Sequence, residues 1–166
     1  MLNISFTPDN PEFSEAAKEY AAIWAKDGKR ITDAIENSVR KRFNVKDIQA
    51  IVFEGISQSN PLKLRASYDR NTKSATLVHE LLHIISAEYM FKLPGKEDEL
   101  SIGLHKQIDL VLYDIWLELY GEQFAHKQVA IESKRTAIYK EAWNWALDFS
   151  KPKRHSMFLD LSNIEL

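Results

Sequence analysis

Apolar residues recur at two different periods along this chain, and each change of period marks a new element. Leu2 to Thr7 alternates apolar and polar positions and predicts a short strand. Pro8-Asp9-Asn10-Pro11 follows, with Asn10 suited to cap a helix and Pro11 to occupy its first turn. Phe13, Ala16, Ala17, Tyr20, Ile23 and Trp24 then repeat at helical spacing, and Ile31, Ala34, Ile35 and Val39 resume the pattern beyond Gly28, where the helix can kink or split. Ile48 to Ile56 is rich in β-branched and aromatic residues and predicts a buried strand, closed by the turn cluster Ser57-Gln58-Ser59-Asn60-Pro61. Leu62 to Tyr68 predicts another. Its Leu62, Leu64, Ala66 and Tyr68 share one side and Lys63, Arg65 and Ser67 the other, the alternation of a strand with one wet face. Asp69-Arg70-Asn71 reads as a turn.

From about Lys73 to Phe91 the pattern is a strongly apolar helix, with Ser74 as its N-cap and Leu93-Pro94-Gly95 as its stop. A further helix runs from Glu97 or Ser101 to Tyr120, acidic at its front and ended by Gly121. A last one spans Gln123 to Phe149. The remaining tail carries Met157, Phe158, Leu159, Leu161, Ile164 and Leu166, too apolar for a free end, and is expected to dock on the body. These elements predict an α+β fold, a small twisted sheet with helices packed on it. A length of 166 residues suits one hydrophobic core, so the reading is a single domain over residues 1–150 with a docked tail over 151–166.

Composition narrows the chemistry. Hydrophobic residues make up 45% and charged residues 28%, the ordinary globular range, and a net charge of −2 gives no field that recruits nucleic acid or an anionic membrane. The absence of cysteine removes disulfides, thiolate metal sites and a cysteine nucleophile. Met1 to Phe6 has neither a basic n-region nor a long apolar h-region, and no apolar run reaches membrane-spanning length, which predicts a cytoplasmic protein.

One pentapeptide carries specific chemistry. His79-Glu80-Leu81-Leu82-His83 puts two imidazoles at i and i+4, on one face of the apolar helix, where they can bind one ion. Random placement of this chain's histidines and glutamates yields such a pentapeptide only about 0.013 times per chain. A catalytic zinc takes three protein ligands and keeps a position for water, and a carboxylate beside that water, here Glu80, can take its proton. His105 is the best candidate for the third ligand, since it opens the next helical pattern. Asp109 lies one turn further on, placed to hydrogen-bond a ligand's second ring nitrogen. Glu97, Glu99 and Glu118 are alternative ligands, although acidic residues at a helix front more often serve the dipole.

The pentapeptide and its setting resemble the zincin metallopeptidases, which carry His-Glu-x-x-His on their active-site helix. The resemblance covers residues 62 to 120. It implies zinc as cofactor, peptide-bond hydrolysis with Glu80 as general base and acid, and a peptide or protein substrate. It also implies that Leu62 to Tyr68 is an edge strand on which substrate pairs, exposing Lys63, Arg65 and Ser67. In the gluzincin branch the third ligand is a glutamate on a later helix, with an aspartate four positions on as its outer partner, a pattern that falls on His105 and Asp109. Histidine at 105 is a departure and is more similar to SprT-type zincins, which act on DNA-bound proteins, although their spacing is shorter. The metzincin pattern is absent, because Ile84 to Tyr89 holds neither its glycine nor its third histidine. The alternatives are therefore a non-catalytic interaction domain stabilised by its metal and a nucleoprotein-processing module of the SprT kind.

Other residues carry weaker signals. Tyr113 and Tyr89 are possible oxyanion stabilisers, but tyrosines on amphipathic helices are more often core residues with a wet hydroxyl. His126 reads as solvated, and His155 as part of a charged linker, Lys151 to His155. Trp24, Trp116, Trp143 and Trp145 read as core, and Lys41, Arg42 and Lys46 as an exposed helix end.

Overall fold

Strand β1 (Asn3–Pro8) leads through a 3-10 turn into helix α1 (Ser14–Val39), followed by strands β2 (Asp47–Phe53), β3 (Gln58–Ser59) and β4 (Leu62–Arg65). Helices α2 (Arg70–Ala87), α3 (Glu97–Tyr120), α4 (Glu122–Glu132), α5 (Ala137–Leu147) and α6 (Lys151–Leu161) complete an α+β architecture. This computed structural model describes residues 2–87 and 97–162, without the side chains of 97–101. Tyr89, the Leu93-Pro94-Gly95 stop, Ile164 and Leu166 lie outside the described residues. The chain forms two compact units, one of residues 1–36 and 41–85, the other of residues 37–40 and 86–166.

The first unit is built on a four-stranded sheet in the order β1-β2-β4-β3. β1 and β4 both run parallel to β2, with Ile4 opposite Ile48 and Val52 opposite Leu64, and β3 runs antiparallel to β4. The period-two pattern sends Leu2, Ile4, Ala50, Val52, Leu62 and Leu64 to one buried face, while Asn3, Ser5, Thr7 and Gln49 stay exposed. α1 anchors itself to the buried face through Tyr20, whose ring stacks on Phe6 at 5.9 Å and whose hydroxyl donates to the Arg65 carbonyl at 2.9 Å.

Two local expectations change here. Asn10 caps as expected, accepting from the Glu12 amide at 3.2 Å, but α1 runs unbroken through Gly28. The Trp24 ring lies over that glycine, and a Cβ there would come within 2.8 Å of the indole. The glycine makes room rather than a kink. α2 starts at Arg70 instead of Lys73, because Asp69 accepts the Thr72 amide at 2.7 Å and does the capping assigned to Ser74. The Ser74 hydroxyl instead donates back to the Arg70 carbonyl at 3.0 Å.

In the second unit α4, α5 and α6 each pack on α3. Gly121, at φ 87°, ends α3 and starts α4, a left-handed backbone that glycine adopts without strain. The helix expected over Gln123 to Phe149 is two helices, because Thr136 turns extended and its side chain accepts the Tyr139 amide at 3.2 Å, capping a new start. Trp116 and Trp143 are fully buried with ring centroids 5.5 Å apart, whereas Trp24 and Trp145 are half-buried. The buried Glu132 carboxylate accepts the Trp143 indole N–H at 3.1 Å.

Residues 151–161 form a helix rather than a charged linker, with Pro152 in its first turn. Phe158 and Leu159 are buried. Arg154 reaches Asp114 with Nη2 at 2.8 Å and 2.9 Å and the Phe149 carbonyl with Nη1 at 2.7 Å. Both partners are nearly out of water, with side chains 8% and 13% exposed. Removing one partner of such a pair costs about 3–5 kcal/mol, because the other charge stays buried. Arg154→Met should therefore lower unfolding stability by about that amount, and adding Asp114→Leu should restore most of it, as read by urea denaturation. Equal losses in the single and double variants would show that the ion pair is not what holds α6.

Candidate metal centre

α2 is buried on almost every side, so it presents no broad wet face: residues 72–82 are all buried. His79 and Glu80 share this burial, at 2% and 6% exposure, and His83 is half-buried one turn on. Their one-turn spacing brings the two ring Nε2 atoms to 3.0 Å, with ring centroids 4.8 Å apart. At that distance one nitrogen donates a proton to the other, or both lone pairs point at one cation.

His105, half-buried on α3, completes the group, for each of the three histidines has a ring nitrogen within 4.8 Å of the others'. Nitrogens bound to a tetrahedral zinc at 2.0–2.1 Å lie about 3.4 Å apart. The His79–His83 separation of 3.0 Å is close to that value, and 4.8 Å bounds the whole group. The donor set is all imidazole, which suits zinc, copper, iron or nickel over magnesium or calcium. The three histidines therefore lie close enough to hold a metal ion, and geometry leaves its identity open.

The surroundings of His105 add a residue with no local signal in the sequence. Tyr139, at the start of α5, packs its ring on His105 with centroids 4.3 Å apart. Its helical spacing reads only as part of an amphipathic face, and the contact depends on how α5 folds back on α3. Asp109, one turn beyond His105, is wholly buried, and neither carboxylate oxygen has a hydrogen-bond partner among the described residues. Burial, and next the nearby charge of Glu132, push its pKa well above the usual carboxylate range. Glu132 itself is held by Trp143 and, at 3.5 Å, by Arg135.

Other candidates fall elsewhere. Tyr113 is eight residues past His105, about 12 Å along the axis, and its hydroxyl lies 3.3 Å from His126 Nε2. Its ring carries the Arg154 guanidinium at 5.5 Å, so it belongs to the α3–α4–α6 packing of the second unit. Glu118 is exposed and stands outside the histidine group, and the side chains of Glu97 and Glu99 lie outside the described ones. His155, on α6, has its pKa lowered by burial and by Arg40.

The edge-strand expectation needs correction. β3 covers the outer side of β4 at Leu62 and Lys63, since Gln58 pairs with Lys63 and Ser59 with Leu62. Beyond it, the Arg65 amide donates to Ser57 Oγ at 3.1 Å and the Ser67 amide to Glu54 at 3.2 Å. The Lys63 ammonium sits over the Phe53 ring at 5.6 Å, and Arg65 pairs with Glu54 at 2.6 Å. The turn at residues 57–61 folds back and occupies the backbone groups that an added strand would use, and Ser67 lies past the strand's end.

Comparison of the chain with protein-family models, curated proteins and solved structures finds no match. The centre is characterised by its own motif and geometry.

Proposed function

We propose that the protein is a zinc-dependent metallopeptidase, with His79, His83 and His105 as metal ligands. The observation that carries this reading is the convergence of three histidine ring nitrogens within 4.8 Å, two of them flanking Glu80 in the order His-Glu-x-x-His. Three protein ligands leave a fourth position open, as catalytic zinc sites do, whereas structural sites are closed by four. When bound there, zinc supplies a Lewis acid that polarises a carbonyl and lowers the pKa of water towards neutral.

The chain's own residues then have separate tasks. Glu80 takes the proton of the attacking water and returns it to the leaving amine. Asp109 is a positioning residue: a buried acceptor whose two oxygens have no partner among the described residues, one turn from His105, is suited to fix a ligand imidazole through its second ring N–H. Leu77, Val78, Leu81 and Leu82, fully buried on α2 around the motif, would lower the local polarity and so strengthen the interactions of the charge that develops during attack.

Elemental analysis should find about one zinc per chain, and His105→Ala should release it to a chelator that leaves wild type loaded. A chain that takes up no transition metal would sink the reading. Glu80→Gln should keep zinc and fold while losing at least about 100-fold in cleavage of a quenched peptide library, because an amide cannot accept the proton. Equal cleavage by both proteins would remove Glu80 from the mechanism.

Asp109→Asn separates two effects. Its folded-state pKa is raised, so in the metal-free protein the stability linked to Asp109 is full below the ordinary aspartate pKa and is lost as pH rises through the higher folded value. The metal-free asparagine variant should consequently melt higher than wild type at neutral pH. It should also bind zinc about 10–100-fold more weakly. Unchanged zinc affinity would leave Asp109 as a buried acid with no part in the site.

A further inference from the structure

Arg42 and Lys46, which the metal reading does not use, line a recess in the first unit. Its volume is about 400 Å³, at the small end of the range for ligand pockets. One wall is a single face of α1, because Lys29, Thr32, Asp33 and Glu36 follow the i, i+3, i+4, i+7 spacing. Leu2 ahead of β1, and Phe43 and Val45 from the loop after α1, give it an apolar lining. Val45 is left 39% exposed there.

The charges at the rim do not cancel. Asp33 pairs with Lys29 at 2.5 Å. Glu36, its side chain only 10% exposed, holds Arg42 and also accepts the Phe43 amide at 3.1 Å. Lys46 enters no ion pair among the described residues. Three cations thus face two carboxylates, and one ammonium remains beside an apolar lining.

We propose that this recess binds a small amphipathic carboxylate, its apolar body against Leu2, Phe43 and Val45 and its anionic group on Lys46. A neutral apolar molecule would gain nothing from Lys46, and a cation would meet a net positive rim. No histidine of the metal centre lines the recess, so this binding stands or falls independently of the peptidase reading.

The test is titration of the full chain with octanoate, followed through backbone amide NMR shifts, with acetate and octylammonium as comparisons. Octanoate should give saturable shifts at the amides of Thr32, Phe43 and Val45. Acetate, lacking the apolar body, and octylammonium, carrying the wrong charge, should not. Lys46→Glu and Val45→Asp change exposed positions and should keep the remaining spectrum while weakening octanoate binding by about tenfold or more. The absence of saturable shifts at these amides, equal binding of octylammonium, or unchanged octanoate affinity in both variants would each overturn the assignment.

Discussion

A buried polar group needs a partner, because leaving it without one costs several kcal/mol, and α2 buries a histidine and a glutamate at consecutive positions, each of which has one. A helix wet on one side would have turned them to solvent. Here that escape is closed, because the residues around the whole circumference are buried. The imidazoles of His79 and His83 meet at 3.0 Å, which forces a choice between one shared proton and one shared cation. A ring nitrogen of His105 lies in the same group, so the three histidines are close enough to hold a metal ion.

The same physics governs the polar groups of the second unit, with different solutions. The inward stripe of α4 is Ala125, Gln128 and Glu132, so two of its three buried positions are polar. Glu132 is matched by an indole N–H and a guanidinium, and Asp114 by a bidentate Arg154. Gln128 and Asp109 are the contrast, buried side chains with no hydrogen-bond partner among the described residues, and the Asp109 pKa is pushed upward. An acid left in that state is a poor contributor to stability, and it lies one turn from His105.

The sheet leads into α2 without offering the surface expected of it. Parallel pairing of β1, β2 and β4 fixes the strand that precedes the helix. The hairpin-like return through residues 57–61 then uses the outer side of β4 for the chain itself. A polypeptide substrate bound by this protein would have to be recognised by groups other than that backbone edge.

Local periodicity made much of this legible. The two-residue alternation placed β1 and β4's buried face, and the i, i+4 spacing of His79 and His83 fixed their shared face, because both follow from backbone geometry alone. Competition between neighbours was harder to read. Asp69 and Ser74 are both competent caps, and only the path of the chain after β4 made Asp69 the one that reaches an amide. The break at Thr136 and the continuity at Gly28 likewise turned on one capping bond and one indole ring. His105 was named from its place after the motif. That its ring comes within 4.8 Å of the pair, that Tyr139 packs on it and that Asp109 is sealed from water are outcomes of packing between segments distant in sequence. The chain's local pattern determined which residues have the chemistry, and tertiary structure decided which share a site, because convergence depends on contacts that no periodicity encodes.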